Sequence, residues 1–410
     1  MSEASARAAL FDPARHEPLC SSAWDPGVAQ RGIQQIVDAT LAQFDDQALW
    51  PTHPRDTDLG DAGRPAAALY HGAAGVIWAL QHLRERGHAR FEVEFGATVA
   101  GLLEHNRRFN AASHIDEHSY VLGDPGVLLL QFKLARSPHA SQALFDLIEA
   151  NLDNPTREFL WGSPGTLVAA LHMLEATAEA RWLTLFRRGI DMLWQQMEPA
   201  VGHDDCWLWT QDMYGRKRQY LGAGHGFAGN VFPVVRGARW LPAEQVRSFV
   251  QRAARTLAAD MLADGPCANW APVFDATRAG LPSRPLVQDC HGAPGIVCRL
   301  ADAESPELRA LLLRGGELVW AAGPLNKGPG LCHGTAGNGQ AFLKLHKMTG
   351  DSRWLERARA FAMHALEQTA AQASEHGQHR YSLWTGDLGV ALFTAACITG
   401  DAAFPTLDVF

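Results

Sequence analysis

Apolar residues recur along the chain in seven segments, and each segment opens directly on a Gly-x-x-Gly motif. The first of these segments is HGAAGVIWAL and the last is TGDLGVALFTAACI. One such motif is uninformative, but seven in succession before apolar segments indicate an internal repeat. The glycine pairs are Gly72 and Gly75, Gly123 and Gly126, Gly162 and Gly165, Gly226 and Gly229, Gly292 and Gly295, Gly334 and Gly337, and Gly386 and Gly389.

The chain between successive motifs has room for two helices, because the first glycines lie 39 to 66 residues apart. A short apolar segment comes first, and an amphipathic segment with a charged outer face follows it. In the sixth repeat, Trp354, Ala358 and Phe361 lie at helical spacing after Asp351, which is a typical N-cap residue. Each repeat is therefore predicted to be a helical hairpin with one buried and one exposed helix.

Strand patterns are nearly absent, so we predict an all-α fold. Seven hairpins would form a double α/α toroid, a barrel with an inner and an outer ring of helices. The glycines would lie where each inner helix begins, allowing close backbone approach and leaving free N–H groups at the mouth of the ring. No linker separates regions of different composition, so we expect one domain over residues 1–410, with residues 1–65 as a leading arm and first outer helix.

The composition favours an ordinary globular protein, with 47% hydrophobic and 20% charged residues. A net charge of -8 argues against general nucleic-acid binding, which needs a basic surface. The sequence contains no run of 18 or more apolar residues that could span a bilayer, and its first residues lack the apolar core of a signal peptide. We therefore expect a cytoplasmic protein with no nucleic-acid or membrane partner. The seven scattered cysteines are not a disulfide framework.

Two repeats carry the same tripeptide, Cys290-His291-Gly292 and Cys332-His333-Gly334. Thiolate and imidazole are the ligands that zinc prefers, and loops at the same rim of a ring can converge. The alternative is two packed cysteines and two histidines that cap helices. His225 and His71 occupy the same position before the glycine in two further repeats.

The chain resembles the lanthionine synthetase C-like (LanC-like) family in the motifs GLCHGTAGNGQAFLKL, QDCHGAPGIV, YLGAGHGFAG and FLWGSPGTLVAAL. The resemblance covers nearly the whole chain and implies a double ring of seven inner and seven outer helices. It also implies a zinc ion held by Cys290, Cys332 and His333. His291 is not a ligand in this family, which places it at the rim or behind the ligands.

The same resemblance assigns the catalytic histidine to His225. Glu158 stands where the bacterial cyclases carry an aspartate, and a glutamate there is similar to the eukaryotic-type, glutathione-binding branch. That branch also has a lysine five residues before the sixth-repeat cysteine, which here is Lys327, and an arginine near the last hairpin, for which Arg380 is a candidate. An N-terminal arginine of the branch matches Arg7 only weakly, because RAALFDP departs from the pattern.

These residues predict a thiol addition to dehydroalanine or dehydrobutyrine that forms a thioether. Three protein ligands leave one zinc position open, as in catalytic sites, and a thiol bound there loses its proton. His225 would protonate the resulting enolate, and Glu158 would orient the imidazole or stabilise its charged form. The alternatives are that His225 is only a packed side chain without a catalytic role, and that Glu158 serves as an anion at the N-cap of a helix.

The sequence is compatible with several functions. The thiol would be glutathione, added to dehydrated residues of a protein, or a cysteine of a ribosomal precursor peptide, as in a lanthionine cyclase. Any dehydration would come from a separate dehydratase or kinase. A non-catalytic, zinc-containing scaffold that binds peptides is another hypothesis, and a carbohydrate enzyme on a six-hairpin toroid is a weaker one. The cluster Arg216-Lys217-Arg218 is either a solvated loop or a site that binds an acidic substrate segment or the carboxylates of glutathione.

Overall fold

The computed structural model describes residues 10–59, 65–275 and 285–410, and within them the chain forms fourteen α-helices that alternate between two rings. The inner helices are α2 (Ala73–Glu85), α4 (Asp124–Ala135), α6 (Ser163–Thr177), α8 (Phe227–Arg236), α10 (Ala293–Leu300), α12 (Thr335–Thr349) and α14 (Asp387–Thr399). The outer helices are α1 (Pro26–Ala42), α3 (Gly96–Ser113), α5 (Pro138–Ala150), α7 (Ala180–Gln195), α9 (Ala243–Ala259), α11 (Pro306–Ala322) and α13 (Ser352–His376).

Contacts between neighbouring inner helices run all the way round the molecule. Each inner helix packs on the next one, and α14 packs on α2, which closes the ring. The first outer helix, α1, packs on α14 and α13, so the two ends of the helical array meet. The predicted all-α double toroid of seven hairpins is confirmed. The prediction of a single domain over residues 1–410 stays a prediction.

Burial explains which helix of each hairpin lies inside. In α6 every residue from Ser163 to Leu174 is buried, because helices and loops cover it on all sides. The outer helix α7 is amphipathic and buries one face, with Trp182, Phe186 and Leu193 on it. Several outer helices have a side chain as their N-cap, for example Asp351 for α13. The N-cap residue of each of the seven inner helices is instead the first glycine of a repeat motif.

Steric crowding explains the second glycine of each repeat. In every motif, a Cβ at this glycine would approach the carbonyl oxygen of the residue six positions earlier to within 2.9 Å or less. At Gly295 the distance to the oxygen of Asp289 would be 1.7 Å, and at Gly337 the distance to that of Leu331 would also be 1.7 Å. The loop before each inner helix thus folds back onto the helix start, which only glycine permits.

Three two-stranded antiparallel ribbons interrupt the helices of the described chain, although the sequence had indicated almost no strands. They are formed by β1 (Glu198–Pro199) with β2 (Trp207–Leu208), β3 (Gln211–Met213) with β4 (Arg216–Arg218), and β5 (Met261–Asp264) with β6 (Cys267–Trp270). The cluster Arg216-Lys217-Arg218 therefore forms strand β4 rather than a loop, and its residues are exposed or half-buried. Short 3₁₀ turns occur at Pro13–Arg15, Pro54–Leu59 and Ala238–Trp240.

The leading arm runs along the rim near the fifth and sixth repeats. The backbone N–H of Glu17 donates to the carbonyl of Pro324, and that of Asn326 donates to the carbonyl of Arg15. Arg7 lies outside the described residues. Among the helices that are described, none has the length and apolar character needed to cross a bilayer.

Candidate functional site

Two loops of the rim bring Cys290, Cys332 and His333 together. Cys290 lies just before α10, and Cys332 and His333 lie just before α12. The ligand atoms of the three residues all lie within 4.8 Å of one another, and Cys332 Sγ is 3.4 Å from His333 Nε2. Both thiols are buried, while His333 is half-buried. The backbone also ties the two loops together, because the N–H of Cys290 donates to the carbonyl of Cys332 at 3.5 Å.

The donor set and its spacing fit zinc. Tetrahedral coordination at zinc bond lengths separates two ligand atoms by about 3.6–3.8 Å. The 3.4 Å between Cys332 Sγ and His333 Nε2 is close to this value, and the 4.8 Å limit for the whole group is compatible with it. Hydrogen bonding to Cys290, and then burial, raises the pKa of the Cys332 thiol well above its ordinary value. Two neighbouring buried thiols are costly to ionise without a cation, and a soft divalent metal removes that cost.

Polar contacts behind the thiols fix one of them. Gln288, which is buried, donates its side-chain amide to Cys290 Sγ at 2.9 Å. Arg15 of the leading arm donates to the other end of the same amide at 3.2 Å. Hydrogen bonds of this kind orient metal ligands and tune their charge. Neither residue could be predicted from the sequence, because only the folded rim brings the arm to the QDCHG loop.

His225 and Glu158 form a hydrogen-bonded pair across two repeats. His225 Nδ1 lies 3.0 Å from Glu158 Oε2, and Glu158 is completely buried. The carboxylate also accepts the backbone N–H groups of Leu160, at 3.0 Å, and of Trp161. Burial acts to lower the pKa of His225, but the hydrogen bond and charge of Glu158 outweigh it, and the net pKa is raised. The imidazolium form is therefore more favoured here than in an ordinary histidine.

One cavity of about 510 Å³ contains both groups. His225 and the Cys/Cys/His group line it together, and its walls include the aromatic side chains of Trp161 and Tyr214. His291 also lines it, with its ring centroid 5.7 Å from that of His225. Burial, followed by the nearby charges of His225 and His333, lowers the pKa of His291 to about 3, so this ring is neutral. His71 lines the cavity as well.

A second cavity, of about 310 Å³, adjoins the first and contains both predicted substrate-binding residues, Lys327 and Arg380. Arg380 donates Nε to Asp56 at 2.9 Å and makes a second contact with the same carboxylate through Nη2. Lys327 is exposed and has no carboxylate partner among the residues described. Asp56 and Arg55 were not predicted from the sequence. Arg55 Nη2 donates to the Lys327 carbonyl at 2.6 Å and thereby fixes the loop that contains Lys327.

Tyr70 and His333 line both cavities, so the Cys/Cys/His group lies where the two meet. No sequence pattern singles out Tyr70, which precedes the first repeat motif. The larger cavity also borders Tyr214, whose hydroxyl oxygen accepts the indole N–H of Trp161 at 2.7 Å. Tyr214 was not predicted from the sequence either, because its place depends on the hairpin of β3 and β4.

The fold and site together define a class of protein: a closed double ring of helices with a thiolate-rich candidate metal centre beside a histidine–carboxylate pair. The chain belongs to the lanthionine synthetase C-like family, whose sequence model matches residues 33–409. The solved structure of nisin cyclase matches with a TM-score of 0.60 at 14% identity, covering 93% of this chain and 99% of that one. At such identity the likeness shows the fold alone.

Two curated relatives are eukaryotic, in agreement with the predicted branch. Glutathione S-transferase LANCL1 of Danio rerio is 32% identical over 202 residues, which is 47% of this chain and 47% of that protein. LanC-like protein GCL1 of Arabidopsis thaliana is 31% identical over 222 residues, 51% of this chain and 47% of that protein. The chain thus spans about half the length of the curated relatives it matches.

Proposed function

We propose that this protein adds a thiol to dehydroalanine or dehydrobutyrine residues of a peptide or protein and so forms a thioether. The observation that carries the proposal is the single cavity shared by the Cys/Cys/His group and the His225–Glu158 pair. In such a cavity, a thiol bound at the Cys/Cys/His group and a proton donated by His225 would both reach one small alkene. The relative named as a glutathione S-transferase supports glutathione as the thiol.

Cys290, Cys332 and His333 would hold a zinc ion as its three protein ligands. Zinc bound there supplies a Lewis acid that keeps a thiol ionised at neutral pH. Gln288 positions one of the ligands, since its amide donates to Cys290. The remaining chemistry belongs to side chains of the chain itself.

His225 is the proposed acid. The thiolate sulfur bonds to the β-carbon of the dehydroamino acid, and the alkene electrons pass into an enolate. Protonation at Cα completes the product. Because Nδ1 of His225 is held by Glu158, Nε2 is the nitrogen left to deliver the proton. A positioned acid of this kind contributes about 10²–10⁴-fold to a rate.

The pH dependence of the reaction tests the pairing with Glu158. The raised pKa of His225 makes its acid form more abundant than that of an ordinary histidine at the same pH, and the rate should fall as pH rises through that pKa. In Glu158→Gln the burial that lowers the pKa remains while the carboxylate that raises it is gone, so the alkaline limb of the kcat profile should move to lower pH. A profile of kcat against pH measures this shift.

A matched control is Glu198→Gln, because Glu198 pairs with Arg157 beside the site but is half exposed and does not contact His225. Its alkaline limb should coincide with that of the parent. An alkaline limb that stays in place in Glu158→Gln would show that another group supplies the proton.

The smaller cavity is the proposed site for the body of the thiol substrate. Its lining includes three cations, Arg55, Lys327 and Arg380, and one carboxylate, Asp56. Glutathione carries two carboxylates, and a cation next to the metal centre can bind one of them while the sulfur reaches the centre. Asp56 already occupies the Arg380 guanidinium, so Lys327 is the cation we expect to contribute most.

The variant Lys327→Ala should use glutathione about tenfold less efficiently, since an exposed charge-assisted contact is lost. Addition of 2-mercaptoethanol, a neutral thiol, should change less than about twofold. Steady-state kinetics with a dehydroalanine peptide and each thiol measures both effects. Lys347→Ala is the control, because Lys347 is exposed on α12 and pairs with Asp302 away from the site. Equal losses with both thiols would contradict the assignment of Lys327.

Mass spectrometry decides which thiol is the natural type. The purified protein is given one peptide that carries dehydroalanine alone and another that carries both dehydroalanine and cysteine. Addition of glutathione to the first peptide supports the proposal. Closure of a ring in the second peptide, with glutathione ignored, would make the protein a lanthionine cyclase. In either case a separate dehydratase or kinase would supply the dehydroamino acid.

A further inference from the structure

The β3–β4 hairpin stands at the mouth of the larger cavity and has no part in the chemistry proposed above. Tyr214 and Gly215 form its turn, with φ of 54° and 68°, the geometry of a type I′ turn. Tyr214 lines the cavity, and its ring centroid lies 6.2 Å from that of His225 in an edge-to-face arrangement. The tip of the hairpin therefore borders the proposed proton donor.

The base of the hairpin is anchored on the loop that carries Glu158. Gln211 is fully buried and donates its side-chain amide to the carbonyl of Arg157 at 3.2 Å. Its amide oxygen accepts the backbone N–H of Tyr220 at 2.8 Å. Tyr220 follows β4 and lies 6.1 Å, centroid to centroid, from His291. Strand β4 thus lies between Tyr214, which borders His225, and Tyr220, which borders His291.

The register of the ribbon sorts the three cations of β4 onto two faces. Arg216 pairs with Met213 and Arg218 with Gln211, and residues directly opposite one another share a face. Met213 and Gln211 are buried, so this is the face turned toward the protein. Lys217 lies on the opposite face, pairs with exposed Asp212, and its Nζ is 3.5 Å from that carboxylate.

The two arginines carry charge that their surroundings do not neutralise. Arg216 is exposed and has no carboxylate partner within the described parts of the chain, and Arg218 donates to a backbone carbonyl, that of Lys217. Nearby carboxylates are already engaged, Asp212 with Lys217 and Glu198 with Arg157. An uncompensated pair of cations at a cavity mouth is notable in a chain with a net charge of -8.

We propose that Arg216 and Arg218 bind acidic side chains that flank the dehydroamino acid of the substrate peptide. An extended peptide whose reactive residue enters beside His225 would pass along β4, and arginine is well suited to carboxylates. The substrate class is then a peptide or protein segment rich in Asp or Glu next to the modified position. The inference rests on the proposed function for the identity of the reactive residue, but the charge preference stands on the hairpin itself.

The thiol is a less suitable ligand for these arginines. The smaller cavity, which contains Lys327, does not include β4 in its lining, whereas the hairpin borders only the larger cavity through Tyr214. We therefore expect the affinity for glutathione to be independent of Arg216 and Arg218.

Binding of an unreactive peptide tests the inference without requiring turnover. A fluorescent peptide with alanine at the reactive position is made with glutamates on either side, and a second peptide has glutamines in their place. The double variant Arg216→Ala/Arg218→Ala should bind the glutamate peptide about tenfold more weakly than the parent, since two exposed ion pairs are lost. Its affinity for the glutamine peptide should be unchanged. Fluorescence anisotropy, repeated at high salt, measures both affinities.

The control is Lys217→Ala, which removes a cation of the same strand from the opposite face and should change either affinity less than about twofold. Two results would overturn the inference: equal binding of both peptides by the parent, or a loss in Lys217→Ala as large as in the double variant. Weaker glutathione binding by the double variant would reassign the arginines to the thiol. If the parent prefers the glutamate peptide but forms no thioether, the peptide-binding role of Arg216 and Arg218 is supported and the proposed thiol addition is contradicted.

Discussion

The substitution His225→Gln is expected to leave the zinc content unchanged while the rate of thioether formation falls by about 10²–10⁴-fold. Glutamine keeps a hydrogen-bonding side chain of similar length opposite Glu158 but cannot donate a proton as an acid. His225 lies in the same cavity as the Cys/Cys/His group and is not one of its members. This variant should therefore lose catalysis while it keeps its metal. Elemental analysis and single-turnover kinetics on a dehydroalanine peptide measure the two effects.

A buried histidine remote from the site controls for general destabilisation. His172 is buried on α6 and its Nε2 lies 3.2 Å from the Thr406 carbonyl oxygen, outside the cavity that His225 lines. His172→Gln should retain the parental rate in the folded protein. Loss of zinc from His225→Gln would mean that His225 is itself a ligand, and a parental rate in that variant would mean that another group protonates the enolate.

The substitution Cys290→Ala is expected to abolish both zinc binding and thiol addition. Removal of residues that merely support metal ligands costs about 10–100-fold in affinity, so loss of one of three ligands should exceed about 100-fold. The variant should then be purified without metal, and should lose zinc to a chelator that the parent resists. Chelator competition, read by absorbance, gives the affinity independently of turnover.

Cys298 provides the matched control for this variant. It is a buried cysteine in α10, eight residues after Cys290, and does not belong to the Cys/Cys/His group. Cys298→Ala should keep one zinc per chain. Parental zinc content in Cys290→Ala would contradict the ligand assignment, and loss of zinc from both variants would indicate a general effect on the fold.

The seven hairpins could be predicted from the sequence because the constraint that makes the repeat is local. A loop that folds back onto the start of its own helix needs glycine at two fixed positions, whatever lies elsewhere in the chain. At Gly337, for example, a Cβ would lie 1.7 Å from the oxygen of Leu331, only six residues earlier. The apolar run that follows then identifies the buried helix, and the amphipathic run identifies the exposed one.

The contacts of the site could be predicted only in part, because they join distant segments. The repeated tripeptide indicated Cys290, His291, Cys332 and His333, and only the family resemblance excluded His291 as a ligand. The pairing of His225 with Glu158 spans 67 positions and also came only from that resemblance. The contact of Arg380 with Asp56 spans 324 positions, and no periodicity in the sequence indicates it. The β3–β4 hairpin was missed because its strands are three residues long, too short for alternation to be recognised.

Zinc dependence is tested most directly by titrating zinc into the metal-stripped protein and measuring the rate at which glutathione adds to a dehydroalanine peptide. We expect the stripped protein to give only the uncatalysed rate, and the rate to rise with zinc and level off at one zinc per chain. Full activity in the stripped protein, or no rate above the uncatalysed one at any zinc level, would contradict it.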